Sequence, residues 1–208
     1  MDTLLTLLPI LGVLVVGVIS PGPSFILVAR TAVAISRLAA LASAVGMAAG
    51  AALLATAALL GLHALLQQIP SAFTALKVVG GLYLLYLALQ TWRGAGRPVP
   101  VDDQTNPDAG GLWRHFALAI GTMVSNPKAA VQYGVLFSAM LPASPTRAVT
   151  IALPIAVFAL EATWYTIVAL ALSAPGTRNA YLRRKLVIDR VAGILLAVIG
   201  VRLILMAR

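Results

Sequence analysis

The chain contains no cysteine, which excludes disulfides, thiolate nucleophiles and cysteine-ligated metals. Charge is scarce too: 10% of the 208 residues are Asp, Glu, Lys or Arg, against about 25% in ordinary soluble proteins. With 61% hydrophobic residues and a mean hydropathy of +0.97, too few polar side chains remain to cover a water-facing surface. The composition therefore indicates an integral membrane protein. Acids are the rarest charge, six in all, and five of them (Asp2, Asp102, Asp103, Asp108, Asp189) fall at ends or connections of apolar runs. The two histidines, His63 and His115, lie near run ends outside any nucleophile motif, and the acids form no two-metal pattern. An intramembrane hydrolase thus lacks its base and its metal ligands.

What is present is apolar sequence in long runs. Segments of about 20 apolar residues suit a helix crossing the hydrocarbon core. Six such spans are expected, near Leu4–Val28, Leu38–Leu62, Ala72–Trp92, Trp113–Leu141, Ala148–Leu172 and Ile188–Met206. The apolar N-terminal run follows the acidic Met1-Asp2 and precedes no small-residue cleavage site, so it reads as a retained span. The net charge of +9 would point to nucleic acid in a soluble chain. Here the basic residues lie mainly between spans, where they set orientation instead. Ten of them (Arg30, Arg37, Arg93, Arg97, Arg114, Arg178, Arg183, Arg184, Lys185, Arg190) fall on one side and three (Arg147, Arg202, Arg208) on the other. The ten-rich side is expected to be cytoplasmic, with both termini extracytoplasmic and Trp92 and Trp113 at the inner interface.

A polar linker, 93–112, divides the chain into a first half, 1–92, and a second, 113–208, of three spans each. An odd number of spans makes a second copy insert upside down, so the expected fold is all-α with two three-helix halves as an inverted repeat. Each half opens on a span broken by proline: Ser20-Pro21-Gly22-Pro23-Ser24 in span one, Asn126-Pro127-Lys128 in span four. Proline removes a backbone donor and clashes with the preceding turn, and the freed groups need protein or a water-filled cavity. Paired breaks in two halves point to a transporter's substrate site. The helix after each break presents N–H groups and a partial positive charge that suit a carboxylate. A simple kink is the architectural alternative.

Lys128 adds a full charge at membrane depth, which costs about 2.5–3.5 kcal/mol at a helix centre and so calls for an acidic partner, water or carbonyls. Glu161 is the one acid in mid-span, and it could accept a substrate ammonium, carry a proton or neutralise Lys128. Gln132 follows the second break by a turn and is a cavity-lining candidate. Lys77 is near enough to an interface to snorkel. Tyr83, Tyr86 and Tyr133 read as packing residues, and Gly46 with Gly50 as a small-residue contact between helices.

These features resemble the lysine exporter (LysE/RhtB) family of bacterial amino-acid exporters over essentially the whole chain. The resemblance rests on Ser20-Pro21-Gly22-Pro23, Gly46 and Gly50, Leu76-Lys77, Gly80-Gly81-Leu82-Tyr83-Leu84, Trp92-Arg93, Asn126-Pro127-Lys128, Phe137 and Leu141-Pro142, with Glu161 filling an acidic place in span five. It implies a secondary-active exporter of amino acids or related metabolites in the bacterial plasma membrane, working on an ion gradient without a cofactor. The chain departs from the family at Ile35-Ser36-Arg37-Leu38, at Ala143-Ser144 and near Leu53-Leu54, which bears on the substrate more than the fold. Substrate is expected between the breaks, at Ser20, Pro21, Gly22, Pro23, Ser24, Asn126, Pro127, Lys128, Gln132 and Glu161. Its partners are a small molecule and the bilayer, with self-association left open. A channel or structural subunit is the alternative, with an intramembrane enzyme behind it; saturable counterflow distinguishes a carrier from a channel.

Overall fold

The computed structural model describes residues 2–19, 22–68, 72–95, 111–142 and 145–205. Ser20, Pro21, linker positions 96–110 and Ala143-Ser144 lie outside these residues, as do the side chains of His63 and Lys77. All regular structure among the described residues is helical: α1 (Asp2–Ile19), α2 (Pro23–Ala34), α3 (Arg37–Gln68), α4 (Ala72–Gly94), α5 (Gly111–Val124), α6 (Pro127–Met140), α7 (Arg147–Ser173) and α8 (Pro175–Leu205).

The proline breaks appear where the sequence requires them. Pro23 opens α2 and Pro127 opens α6, each in the first turn, where a missing N–H leaves no hydrogen bond unmade. The axes of α1 and α2 differ by 58° across the first break. The second break leaves α5 and α6 with 14 residues each, short of the roughly 20 needed to cross a bilayer alone. Side chains cap the longer helices: Ser36 Oγ accepts from the Ala39 N–H at 3.1 Å at the start of α3, and Thr146 Oγ1 from the Val149 N–H at 3.4 Å at the start of α7.

Helix α3 is central, packing along α5 and α7 and also touching α2 and α6, while α4 lies along α8. The α3–α5 approach depends on small residues. A Cβ on Gly46 would run into the Phe116 carbonyl, and one on Gly50 would press on the Met123 side chain. Gly46 and Gly50 thus act as the close-packing pair their spacing suggests. Gly46→Leu is expected to force α5 off α3 and lower stability by about 1–3 kcal/mol or more, read as a lower melting temperature in detergent.

Large apolar side chains face outward, with Leu60, Ile155 and Leu205 each 63% exposed, while Ser43, Ser138, Asn126, Gln132 and Glu161 are buried. Hydroxyls turn back on their own helices, as from Thr31 to the Leu27 carbonyl (2.8 Å) and Ser43 to that of Ala39 (3.0 Å). An apolar exterior around polar interior groups is the arrangement of a multi-pass membrane protein. Within α3, Arg37–Gly61 (25 residues) is long and apolar enough to span by itself, as is α7 (27 residues); α1 and α2 together supply a third span if the bent pair counts as one.

Helix α8 departs from expectation. It starts at Pro175, ahead of the span expected from near Ile188, so Arg183, Arg184 and Lys185 sit on a helix instead of in a connection. Lys185 and Asp189 are both buried and form an ion pair one turn apart. Hydropathy ends a span at the first cluster of charges. It does not register that two of them neutralise each other and allow the helix to continue inward.

Candidate functional site

The two breaks meet. Gly22 caps α2 and Asn126 caps α6, and both line one narrow cavity with Ser24, Lys128, Gln132 and Glu161. Six of the residues singled out in the sequence are therefore brought together. Pro23 and Pro127 set the helix starts beside the cavity, and Ser20 and Pro21 lie outside the described residues.

Asn126 joins the pieces. Its Oδ1 accepts from the Lys128 N–H at 3.0 Å, capping α6, and its Nδ2 donates to Ser24 Oγ at 2.9 Å, across to α2. Ser24 Oγ in turn lies 3.8 Å from Met123 Sδ on α5. One carboxamide thus ties the first turns of both post-break helices, and Met123 brings in the end of α5. Asn126→Ala is expected to lower stability by about 0.5–2 kcal/mol through the lost cap, with melting in detergent as the readout.

Charge in the cavity is placed asymmetrically. The Lys128 side chain runs along Gly22, its Nζ 3.6 Å from where a Gly22 Cβ would lie, so the ammonium stands at the N-terminus of α2. Gly22 has extended backbone (φ −143°), open to any residue, and a Cβ there would only touch Lys128 Cδ at 3.4 Å. Glu161, on α7, is buried; its Oε1 accepts from the Tyr133 hydroxyl at 2.7 Å, and its Oε2 has no hydrogen-bond partner among the described residues. The result is a positive region at the break between α1 and α2 and a carboxylate on α7, lining the same cavity. The space is tight, about 30 Å³. That is room for a water or two, well below the roughly 300 Å³ at which ligand pockets begin.

Sequence reasoning missed three contributors. Tyr133 was read as packing, yet its hydroxyl holds Glu161; it neighbours Gln132, already placed near the break. Tyr165 lines the cavity four residues after Glu161, a spacing that puts both on one face of α7. Gly17 matters because α1 passes so close to Gln132 that a Cβ there would overlap the amide. Gly46 and Gly50 offered a spacing to read; Gly17 offered none. Among the described residues no His, Cys, Asp and Glu cluster could hold a metal ion.

The family model for LysE type translocators matches residues 15–207, nearly the entire chain. The protein belongs to the LysE type translocator family. It is a membrane transporter and not an enzyme. Similar curated proteins include the threonine efflux protein of Escherichia coli K12, 32% identical over 203 residues that cover 97% of this chain and 98% of the relative. The threonine efflux protein of Salmonella typhi is 33% identical over 193 residues, 92% of this chain and 93% of the relative. A homoserine/homoserine lactone efflux protein of Salmonella typhimurium is 30% identical over 131 residues, 62% of each chain. No solved structure matches this translocator.

Proposed function

We propose that this translocator is a secondary-active exporter of amino acids or related small metabolites, threonine-like in size and polarity, across the bacterial plasma membrane. The observation that carries the reading is the meeting of both proline breaks, Lys128 and Glu161 on one cavity. A zwitterionic amino acid complements that cavity. Its carboxylate faces Lys128 and the N-termini of α2 and α6, and its ammonium faces the unpartnered Oε2 of Glu161. Ser24, Asn126 and Gln132 offer hydrogen bonds to a polar side chain, in keeping with relatives named for threonine and homoserine efflux.

Counting each broken pair as one span gives six: α1/α2, α3, α4, α5/α6, α7 and α8. Both halves then read as a broken span followed by two long helices, which supports an inverted repeat; the reading that both termini are extracytoplasmic rests on the basic residues between spans. A cavity of about 30 Å³ cannot admit an amino acid without movement, which on this reading makes it the closed form of a site that opens by alternating access.

The test uses cells that lack their own threonine exporters, fed a threonine-containing dipeptide and expressing the protein. Intracellular threonine is expected to fall and external threonine to rise relative to an empty vector. Unchanged pools, with the protein present in the membrane, would contradict threonine as cargo.

A further inference from the structure

Among the described residues the cavity is lined by a single carboxylate, that of Glu161. From α6 it is faced by Lys128 and Tyr133, and from its own helix by Tyr165; α1 and α2 line the cavity without an ionisable side chain, and α3 contributes no lining residue. The other buried acid among the described residues, Asp189, is ion-paired with Lys185 on α8 and lines no part of the cavity. Any coupling proton that meets the substrate in this cavity as a carboxyl proton must therefore use Glu161. Only one of its oxygens is open to do so. Oε1 already accepts from Tyr133, and Oε2 is buried without a hydrogen-bond partner among the described residues.

Resting on the exporter reading above, we infer that Glu161 Oε2 alternately holds the coupling proton and the ammonium group of the exported amino acid, so that one proton enters for each amino acid that leaves. The two occupants exclude each other. A protonated Oε2 carries an O–H and no longer attracts an ammonium, while an ammonium donating to Oε2 occupies the site of the proton. Facing the cytoplasm, the carboxyl loses its proton to water and the ammonium takes its place. Facing outward, the amino acid leaves and a proton from outside binds Oε2. The outward leg carries a zwitterion, Lys128 as a cation and Glu161 as an anion. The return leg carries Lys128 beside a neutral carboxyl. The inward proton is therefore the only net charge moved, and export is electrogenic. Tyr133 donates to Oε1 in both legs and keeps the other oxygen turned to the cavity.

The experiment uses the full chain in proteoliposomes loaded with a mixed amino-acid pool, with release and proton movement, by a trapped pH dye, read together. Proton competition predicts that the apparent KM of the released amino acid rises with falling pH on the substrate side, approaching about tenfold per pH unit, at unchanged maximal rate. One proton is expected to move per amino acid. Glu161→Asp is expected to keep that ratio with weaker binding, and Glu161→Gln to lose both amino-acid exchange and proton movement. Saturable release with no proton movement, or a pH effect confined to the maximal rate, overturns the shared carboxylate and leaves the exporter reading standing. Proton movement that survives Glu161→Gln but is lost in Lys128→Gln overturns it in favour of the lysine. The wild-type competition test holds even if Glu161→Gln fails to fold. No saturable release of any amino acid by folded wild-type protein overturns both readings.

Discussion

Lys128→Gln is expected to weaken substrate binding by about 2–5 kcal/mol, a fall of roughly thirty- to several-thousandfold, because it removes the cationic side chain that the proposed function sets against a substrate carboxylate. The effect has two sources. A carboxylate docked at the N-terminus of α2 loses the ammonium lying along Gly22. Glu161 also loses a positive neighbour in its own cavity, leaving a buried carboxylate poorly compensated. Counterflow of labelled threonine in proteoliposomes gives the affinity, and melting in detergent separates it from a folding defect. Lys128→Arg keeps the charge but not the shape, and a partial recovery is expected from it. Unchanged counterflow affinity in Lys128→Gln would remove the lysine from the site.

The second large effect lies on α8, in the Lys185–Asp189 pair. Asp189→Ala leaves a buried lysine without its carboxylate partner and is expected to destabilise the protein by about 3–5 kcal/mol. Replacing both, as Lys185→Met with Asp189→Leu, removes the buried charges together and is expected to recover most of that loss. Thermal melting of the three proteins in one detergent decides it. A double variant as unstable as the single one would mean that the pair is needed for more than mutual neutralisation. Arg190 Cζ lies 5.6 Å from the Trp92 ring centre, a cation–π contact between α8 and α4 that none of these substitutions removes.

Much of the site could be read in the sequence because proline acts locally. Pro23 and Pro127 dictate helix starts whatever surrounds them, so both breaks and the N-termini that face the cavity were legible from residue type alone. Glu161 and Lys128 were legible because charge in an apolar run is costly and needs a reason. Their common cavity was not. It depends on how α6 and α7 are rotated about their axes, which tertiary packing sets and local sequence does not. Tyr133 escaped for the same reason: a tyrosine in an apolar helix packs or donates according to what it faces. That α8 begins well before the expected span was not legible because hydropathy counts charges singly, whereas Lys185 and Asp189 cancel as a pair. Gly17 gave no signal, since only the passage of Gln132 against its backbone makes a missing Cβ matter.

The central claim, that substrate sits where the two breaks meet, is tested most directly by a single thiol at Gly22. The chain has no cysteine of its own, so the wild type is a silent control. Gly22 has extended backbone, and a Cβ there makes only ordinary contact with Lys128, so Gly22→Cys is expected to fold. In transporting proteoliposomes, a small water-soluble thiol reagent should label it slowly, stop transport, and be held off by saturating threonine. Labelling that leaves transport intact and is indifferent to substrate would contradict a substrate site at the breaks.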